Sequence, residues 1–429
     1  MSTRGPEVRA AAVTGDRAGG ASVSATASSA PKGGTARAFG RAMRSEWMLD
    51  PDCTYLNHGT VGAPPRKVLA VQQAIRDEIE RNPARFLIRE LADVGEIVMS
   101  ARPRMRQAAE AVASFLGARG EDLMFVDNAT TGVSSVLRSM KFETGDEIVI
   151  TDHVYGAVGK AARFIAGRSG ARVRPVDLPG PPYEAAGIVD AIERALTPRT
   201  RLLIVDHVTS GTALIFPVRE IVARAKQRGI AVLVDGAHAP GALDLDLPSL
   251  GVDWYTGNLH KWAMAPRSSA ILWVAPHRHA ETHPAVLSWG LEHGLAAEFD
   301  LTGTRDPSVW LAAPAGIEFM RELGVDAMRA YNHAFTWNGA RMLCDRWGTQ
   351  LPAGESLIGC MLTLPLPERM GTTAEDATRL KDALLYEDNI EAQIHARGGS
   401  IWLRLSAQVY NDAQDLDRLI AGIEKRTRG

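Results

Sequence analysis

The sequence predicts an α/β protein, with a mostly parallel sheet in a large domain and a smaller α+β domain at the carboxyl end. Short apolar runs alternate with segments of helical periodicity through the middle of the chain. The runs 202–205 and 230–234 are apolar at every position, as expected of strands that are covered on both faces. After residue 312 the pattern becomes mainly helical, and this change marks the second domain.

The elements follow from these patterns in chain order. Helical spacing of apolar residues predicts helices at 67–81 and 97–116. Strands are predicted at 123–126, 147–150, 171–173, 202–205 and 230–234, and a helix at 218–228 joins the last two as a βαβ unit. Beyond residue 312 we predict helices at 312–323, 327–346 and 375–388, strands at 356–365 and 400–405, and a final helix.

The same patterns predict the domain boundaries. Residues 1–43 are rich in Ala, Gly, Ser and Thr and contain few large apolar side chains that a core could bury, which predicts a disordered tail. A transit peptide is the alternative, although Pro6, Pro31 and the glycines weaken an amphipathic helix there. We predict a large domain over 60–311 and a small domain made of 44–59 and 312–429.

Composition favours an enzyme that acts on small molecules. The 429 residues are 45% hydrophobic, and 48 Lys and Arg against 50 Asp and Glu leave a formal charge of −2. The chain therefore has no overall positive charge that would attract nucleic acid or an anionic membrane. No run of apolar residues approaches the roughly 18 that a membrane span needs. Cys53, Cys344 and Cys360 are far apart, which argues against a disulfide framework or a zinc site. We expect a cytoplasmic protein without a bound metal.

Two residues in the middle of the chain point to a cofactor. Asp235 ends the apolar run 230–234, and Lys261 follows downstream beside His260. Pyridoxal 5′-phosphate (PLP) needs a lysine amine that forms a Schiff base with its aldehyde and an anion that keeps the pyridine nitrogen protonated. In parallel sheets ligands bind beyond the carboxyl ends of the strands, where Asp206 and Asp235 both lie. The pair therefore predicts a PLP enzyme with substrates that carry an amino group.

A series of motifs resembles one known family. LNHGTVG, NPARFL, NATTGV, VDGAHAPG, GNLHKW, TGTRDPS and RLSAQVYN occur in this order between residue 56 and residue 411. From about residue 47 onward the chain is similar to class V aminotransferases of PLP fold type I, and most to their isopenicillin N epimerase-like members. The resemblance implies a mostly parallel sheet of seven strands, amino acid substrates, and a homodimer with shared active sites.

The resemblance also implies roles around the cofactor ring. Lys261 matches the Schiff-base lysine, Asp235 the partner of the pyridine nitrogen, and His238 a contact of the ring hydroxyl. Their ordinary alternatives are a surface lysine, a helix N-cap and a hydrogen-bonded turn histidine. Tyr155 matches the aromatic residue that stacks on the ring, opposite Ala237; a core tyrosine is the alternative.

Further residues match positions that hold the phosphate and the substrate. The start of a helix after strand 123–126 suits a phosphate because its backbone amides are free. The predicted cofactor contacts there and nearby are Ala129, Thr130, Thr131, Asp206, Ser210 or Thr209, Asn258, His260 and, from the partner subunit, Thr304. Arg404 matches the arginine that binds the substrate carboxylate, and Asn57 and His58 are candidate substrate contacts.

The reaction type stays open between epimerisation, carbon–sulfur lysis and transamination. All begin with removal of the α-proton from an amino acid held as an external aldimine. No cysteine lies between residues 386 and 399, where related desulfurases carry theirs, so a persulfide route is disfavoured. An epimerase needs a second acid, for which His58, His207 and Tyr155 are candidates, whereas a lyase needs none. A non-catalytic PLP-fold binding protein is the remaining alternative; such regulators usually carry a DNA-binding module ahead of the PLP domain, and residues 1–43 show no helical pattern or basic cluster that would form one.

Overall fold

A seven-stranded sheet forms the centre of the computed structural model, which describes residues 38–95, 100–101 and 103–426. The strands of the described chain are β1 (Thr54–Tyr55), β2 (Leu123–Val126), β3 (Glu147–Thr151), β4 (Arg172–Val176), β5 (Thr200–Asp206), β6 (Ala231–Asp235), β7 (Trp254–Asn258), β8 (Ala270–Val274), β9 (Met361–Pro365), β10 (Ile390–Glu391), β11 (Gln393–Arg397) and β12 (Ser400–Ser406). The large sheet has the order β2-β8-β7-β6-β5-β3-β4, and only β8 runs antiparallel to its neighbours. The predicted α/β class with a mostly parallel sheet is confirmed.

Helices surround this sheet, and further helices lie in the carboxyl-terminal half of the chain. They are α1 (His58–Val61), α2 (Arg66–Arg81), α3 (Arg104–Phe115), α4 (Ala129–Ser139), α5 (Gly156–Ser169), α6 (Ala185–Ala195), α7 (Val218–Lys226), α8 (Leu295–Asp300), α9 (Ser308–Leu311), α10 (Ala313–Leu323), α11 (Val325–Trp347), α12 (Ala374–Asp388) and α13 (Ala413–Glu424). Of the helix predicted at 97–116, residues 97–99 and 102 lie outside the described residues, and the described helix α3 begins at Arg104, directly after Pro103. Strands β7 and β8 have no counterpart among the predicted strands.

Both faces of the sheet are covered, as the continuous apolar strands predict. In β5, Leu202 and Ile204 pack in one hydrophobic cluster with residues of α4 and α5. Leu203 and Val205 point to the opposite face and join the cluster that contains residues of α3, α6 and α7. Alternate side chains of a strand point to opposite faces, so an all-apolar strand requires cover on both sides.

A second, smaller set of strands lies in the carboxyl-terminal half. Strands β11, β12 and β9 form an antiparallel sheet in that order, and β1 pairs in parallel with β10. Residues 38–429 form one compact unit, so the division into a large domain (60–311) and a small domain (44–59 and 312–429) stays a prediction.

The folded chain begins earlier than the predicted boundary at residue 44. Residues 1–37 of the predicted tail lie outside the described residues. Met43 is only 3% exposed in the core, and the backbone amide of Gly40 donates to the carbonyl of Val409 at 2.7 Å. Residues 38–43 therefore belong to the folded part, because Phe39 and Met43 supply apolar contacts that composition alone does not reveal. In the described part of the chain, no helix is long and apolar enough to cross a membrane.

Candidate active site

A cavity of about 500 Å³ lies at the carboxyl ends of β5, β6 and β7. Parallel strands bring their carboxyl ends to one edge of the sheet, so polar residues after separate apolar runs meet there. The lining residues are Thr60, Asn128, Ala129, Thr130, Thr131, Tyr155, Asp206, Val208, Ser210, Asp235, Ala237, His238, Asn258, His260 and Lys261. The structure thus brings together, around one cavity, most of the predicted cofactor contacts.

Lys261, His238 and Asp235 form the centre of this cavity. The Nζ atom of Lys261 lies 3.2 Å from Nε2 of His238. Asp235 ends β6, is 2% exposed, and its Oδ1 accepts a hydrogen bond from the backbone amide of Ala237 at 3.0 Å. Burial, followed by the charge of Lys261, holds the pKa of His238 well below its usual range, so the imidazole is neutral.

The amine of Lys261 is prepared for chemistry near neutral pH. Burial, together with the positive charge of Arg404 and against the partly opposing negative charge of Asp235, lowers its pKa to about 7. A surface lysine would keep a pKa of about 10.4 and stay cationic. The alternative of a surface lysine is therefore wrong, because Lys261 lines a cavity in which its neutral amine is accessible at pH 7.

The amino end of α4 points its first residues at the cavity. The side chain of Asn128 caps the helix, accepting from the backbone amide of Thr131 at 2.9 Å. Asn258 Oδ1 accepts from the backbone amide of Ala129 at 2.9 Å and so ties the end of β7 to the helix start. Because Asn128 does the capping, the hydroxyl of Thr130 is not required for that role.

Tyr155 and Asp206 face the cavity from the neighbouring strand ends. The side chain of Tyr155 is 48% exposed, so it is not a core tyrosine, and both Tyr155 and Ala237 line the cavity. Asp206 is 2% exposed, and its Oδ2 atom is buried without a hydrogen-bond partner among the described residues. Between the two predicted alternatives, Ser210 lines the cavity whereas Thr209 is fully buried and accepts from the backbone amide of Leu214.

Arg404 is a buried cation beside the cavity. Its Nη1 donates to the carbonyl of Ser210 at 2.6 Å, and its Nη2 donates to Thr60 Oγ1 at 2.6 Å and to Asn57 Oδ1 at 3.3 Å. All three acceptors are neutral, the guanidinium has no ion pair within the described chain, and its Nε has no partner there. Burial lowers the pKa of Arg404 to about 10, so it remains charged at neutral pH and is suited to bind an anion.

His58 does not contact the cavity, contrary to the prediction. It is 0% exposed, its Nδ1 is bonded to the Tyr410 hydroxyl at 3.0 Å, and its Nε2 lies 3.0 Å from the carbonyl oxygen of Lys261. His58 therefore supports the backbone of the lysine segment from behind. Gly62 allows this approach: its φ is +68°, and a Cβ there would lie 1.8 Å from the carbonyl oxygen of His260.

Two other predicted residues are also placed differently, whereas Thr304 was predicted to act in the partner's site. Asn57 contacts Arg404 and not the cavity, so it positions the guanidinium. His207, a candidate second acid, is bonded through Nδ1 to the Tyr255 hydroxyl at 2.8 Å and does not line the cavity. Thr304 lines a separate cavity of about 170 Å³, so within one chain it does not reach Lys261.

Thr60, Asn128 and Val208 line the cavity without having been predicted. Asn128 carries a sequence signal, since an asparagine directly before a helical segment is a common N-cap. Thr60 carries none, because its contact to Arg404 joins positions 344 residues apart.

These groups fit PLP. The cavity offers an amine for the aldehyde at Lys261, a carboxylate for the ring nitrogen at Asp235, and a helix start with hydroxyls for the phosphate at Thr130 and Thr131. Asp206 Oδ2 and His238 Nδ1 are buried without partners in the described chain, which leaves polar atoms that a bound ligand can satisfy.

Known proteins resemble this chain over most of its length. Residues 57–358 match the family described as aminotransferase class V. The chain is 35% identical over 402 residues to isopenicillin N epimerase from Streptomyces clavuligerus, covering 90% of this chain and 97% of the relative. It is 34% identical over 399 residues to a probable chloroplastic L-cysteine desulfhydrase from Arabidopsis thaliana, covering 86% of this chain and 82% of that one.

Solved structures support the fold. The cystine C–S lyase C-DES, in complex with its product cysteine persulfide, has a TM-score of 0.71 at 21% identity, covering 87% of this chain and 97% of that one. The cysteine desulfurase CsdA from Escherichia coli has a TM-score of 0.72 at 18% identity, covering 90% and 98%. The predicted family and the predicted fold are confirmed.

Proposed function

Because the chain belongs to the class V aminotransferase family and is a PLP-dependent enzyme, we propose that it removes the α-proton of an amino acid and then expels a sulfur-linked substituent from the β-carbon. For L-cysteine the balanced reaction consumes water and releases pyruvate, ammonia and hydrogen sulfide. Isopenicillin N epimerase-like chemistry is the second candidate.

The lowered pKa of Lys261 carries the proposal. A general base works best when its pKa lies near the working pH, and the pKa of this amine is about 7. When bound, PLP accepts the electrons that the α-carbon–hydrogen bond leaves behind. Lys261 would hold the cofactor, and its Nζ, once free, would take the α-proton of the substrate. Asp235 keeps the ring nitrogen protonated, and the nearby neutral His238 adds no positive charge that would oppose this.

Arg404 is proposed to bind the substrate carboxylate. A buried guanidinium that is hydrogen-bonded to neutral acceptors alone gains most from a carboxylate, which forms two charge-assisted hydrogen bonds in one plane. The position of Arg404 next to the lining residues Ser210 and Thr60 orients the α-carbon relative to Lys261, and correct orientation is itself a large part of catalysis.

Elimination is favoured over epimerisation by the positions of the histidines. Of the three candidate second acids, His58 and His207 are buried and do not line the cavity, which leaves Tyr155. An epimerase must return a proton to the opposite face, so it would depend on Tyr155 or on a residue of the partner subunit. A lyase needs no second acid, since departure of the β-substituent completes the step.

A persulfide route is disfavoured. Cys344 and Cys360 are buried, and burial raises the pKa of Cys360 to about 12. Cys53 does not line the cavity of Lys261 either. A thiol that attacks sulfur must be an accessible thiolate near the substrate, and no cysteine of the described chain meets both conditions.

The two candidate reactions can be separated with purified holoenzyme and L-cysteine, L-cystine and other L-amino acids in deuterated water. The lyase proposal expects pyruvate and ammonia in equal amounts, and expects Tyr155→Phe to keep most of this activity. Appearance of the D-amino acid with deuterium at the α-carbon, without a keto acid, and its loss in Tyr155→Phe would instead establish epimerisation. A spectral change to the amine form of the cofactor with keto acid but no ammonia would indicate transamination.

The homodimer with shared sites is also a proposal, as is the cytoplasmic location. Thr304 is exposed and lies outside the cavity of its own Lys261, as a residue that serves the partner's phosphate site would. The resemblance of TGTRDPS to the family segment with that role supports this assignment.

A further inference from the structure

Asp206 and Asp235 are neighbouring carboxyl groups at the edge of the sheet. They end β5 and β6 and are direct partners in the parallel pairing of these strands. Strands in a sheet lie about 4.8 Å apart, and paired residues point to the same face. Each aspartate is 2% exposed, and both line the cavity of Lys261.

The surroundings of the two carboxyl groups differ. Burial raises the pKa of Asp235, but the hydrogen bond from the amide of Ala237 and the positive charge of Lys261 act against this rise. Asp206 receives backbone hydrogen bonds from Tyr155 and from its own amide, but Lys261 gives it no comparable stabilisation. Its Oδ2 atom is buried and has no partner in the part of the chain that the structure describes.

Within the described residues, no cation compensates a second negative charge at this point. Arg404 is hydrogen-bonded to Ser210, Thr60 and Asn57, and forms no ion pair with Asp206. His238 and His260 line the same cavity, and burial lowers the pKa of each, so both imidazoles are neutral. Burial raises the pKa of Asp206 well above its ordinary value, and the charge of Asp235 raises it further. Two buried carboxyl groups so close together retain one proton between them.

We propose that Asp206 faces the cavity as an uncharged carboxylic acid whose Oδ2 hydroxyl donates a hydrogen bond to the bound cofactor, while Asp235 alone carries negative charge toward the pyridine nitrogen. This assignment rests on the proposed PLP site. It adds a second contact to the cofactor, in which Asp206 donates a hydrogen bond whereas Asp235 accepts one. An ionised Asp206 would place two negative charges beside the ring and a buried acceptor without a donor, and both are costly in a site shielded from water.

Infrared spectroscopy of the holoenzyme tests the protonation state directly. We expect a carbonyl stretch of a protonated carboxyl group at neutral pH that moves to lower wavenumber in deuterated water. The band should be missing from Asp206→Asn and present in Asp326→Asn, which changes an exposed aspartate on α11. Absence of the band from the wild type, or its survival in Asp206→Asn, overturns the proposal, and the wild-type spectrum decides even where a variant fails to fold.

Cofactor affinity of the apoprotein tests the donated hydrogen bond. Asparagine has the shape of the protonated acid and keeps a donor, so Asp206→Asn should bind PLP within about twofold of the wild type, whereas Asp206→Leu should bind about tenfold more weakly. Equal losses in both variants, with circular dichroism showing both folded, would mean that Asp206 acts as an anion and would overturn the proposal. If the wild type binds no PLP, the proposed function fails, but the infrared band of the apoprotein still reports whether Asp206 is protonated.

Discussion

The Nη2 atom of Arg404 donates to the hydroxyl of Thr60 at 2.6 Å, although 344 residues separate the two in the chain. The same hydroxyl donates to Asn57 Oδ1 at 2.5 Å, which in turn accepts from Arg404 at 3.3 Å. The short helix α1 and the strand β12 are thereby joined at the point where the substrate carboxylate is proposed to bind. Thr60 is thus placed to fix the orientation of the guanidinium.

Thr60→Val should weaken substrate binding without stopping the chemistry. Loss of one hydrogen bond of about 1 kcal/mol predicts a KM for the amino acid about fivefold higher, with kcat within about twofold. Thr60→Ser should restore the wild-type KM, and Thr378→Val on the exposed face of α12 should leave both constants unchanged. An unchanged KM in Thr60→Val, or failure of serine to restore it, would contradict this role.

The pKa of Lys261 predicts how cofactor uptake depends on pH. Only a neutral amine attacks an aldehyde, so the rate at which the apoprotein binds PLP covalently should rise through about pH 7, whereas an ordinary lysine would require pH near 10. Arg404→Gln removes a positive neighbour and should move this midpoint to higher pH, because the cationic amine is then less disfavoured. Stopped-flow absorbance at a series of pH values measures the midpoint, and Arg341→Gln on the surface of α11 is the control. The same midpoint in Arg404→Gln and in the wild type would show that Arg404 does not act on Lys261.

His58 should make stability depend on pH. Its pKa is about 4 in the folded protein and about 6.5 when unfolded, so the unfolded state binds the proton first. The contribution of neutral His58 to the free energy of unfolding is present above pH 6.5 and is lost as the pH falls from 6.5 towards 4. Urea unfolding at pH 7.5 and 5.5 should therefore show that the wild type loses about 1 kcal/mol more than His58→Gln does. His333→Gln, which changes a partly exposed histidine paired with Glu355, should retain the wild-type dependence. Parallel losses in all three proteins would contradict a buried, neutral His58.

The shared-site dimer predicts complementation between two defective subunits. Lys261→Ala removes the amine, and Thr304→Val removes the hydroxyl offered to the partner. In a mixed dimer the Thr304→Val subunit keeps its own Lys261 and receives an intact Thr304, so one site is restored. Co-refolded subunits carrying different affinity tags should recover up to half of the wild-type activity per dimer after double-tag purification. Recovery no greater than the average of the two parents would exclude sharing through Thr304.

The sequence was most informative where a strand ends. An apolar run followed at once by an acid, as at Asp206 and Asp235, indicates a residue at the carboxyl edge of a parallel sheet. The structure places both at the cavity. The capping pattern around Asn128 likewise identifies the start of α4. These signals are local, because each depends on a few adjacent residues that determine their own backbone geometry.

The error at His58 and the omission of Thr60 have one cause. Both residues lie in the four-residue helix α1. Residues two positions apart in an α-helix point about 200° away from each other around the helix axis. When Thr60 faces the cavity, His58 therefore faces the interior. Nothing in LNHGTVG specifies which side of this helix meets the sheet; packing against Lys261, Tyr410 and Arg404 decides it.

By itself, the sequence determined the α/β class, the family and the cofactor, and it predicted the roles of the lysine, the acid and the arginine. These depend on periodicity and on residue types in a fixed order. Tertiary structure alone decided that His58 is a support, that Thr60 holds Arg404, and that Asp206 lies beside Asp235 with no counter-ion of its own among the described residues. Side-chain direction and burial set these roles, and both arise from contacts between segments hundreds of residues apart, whose free energies no local pattern encodes.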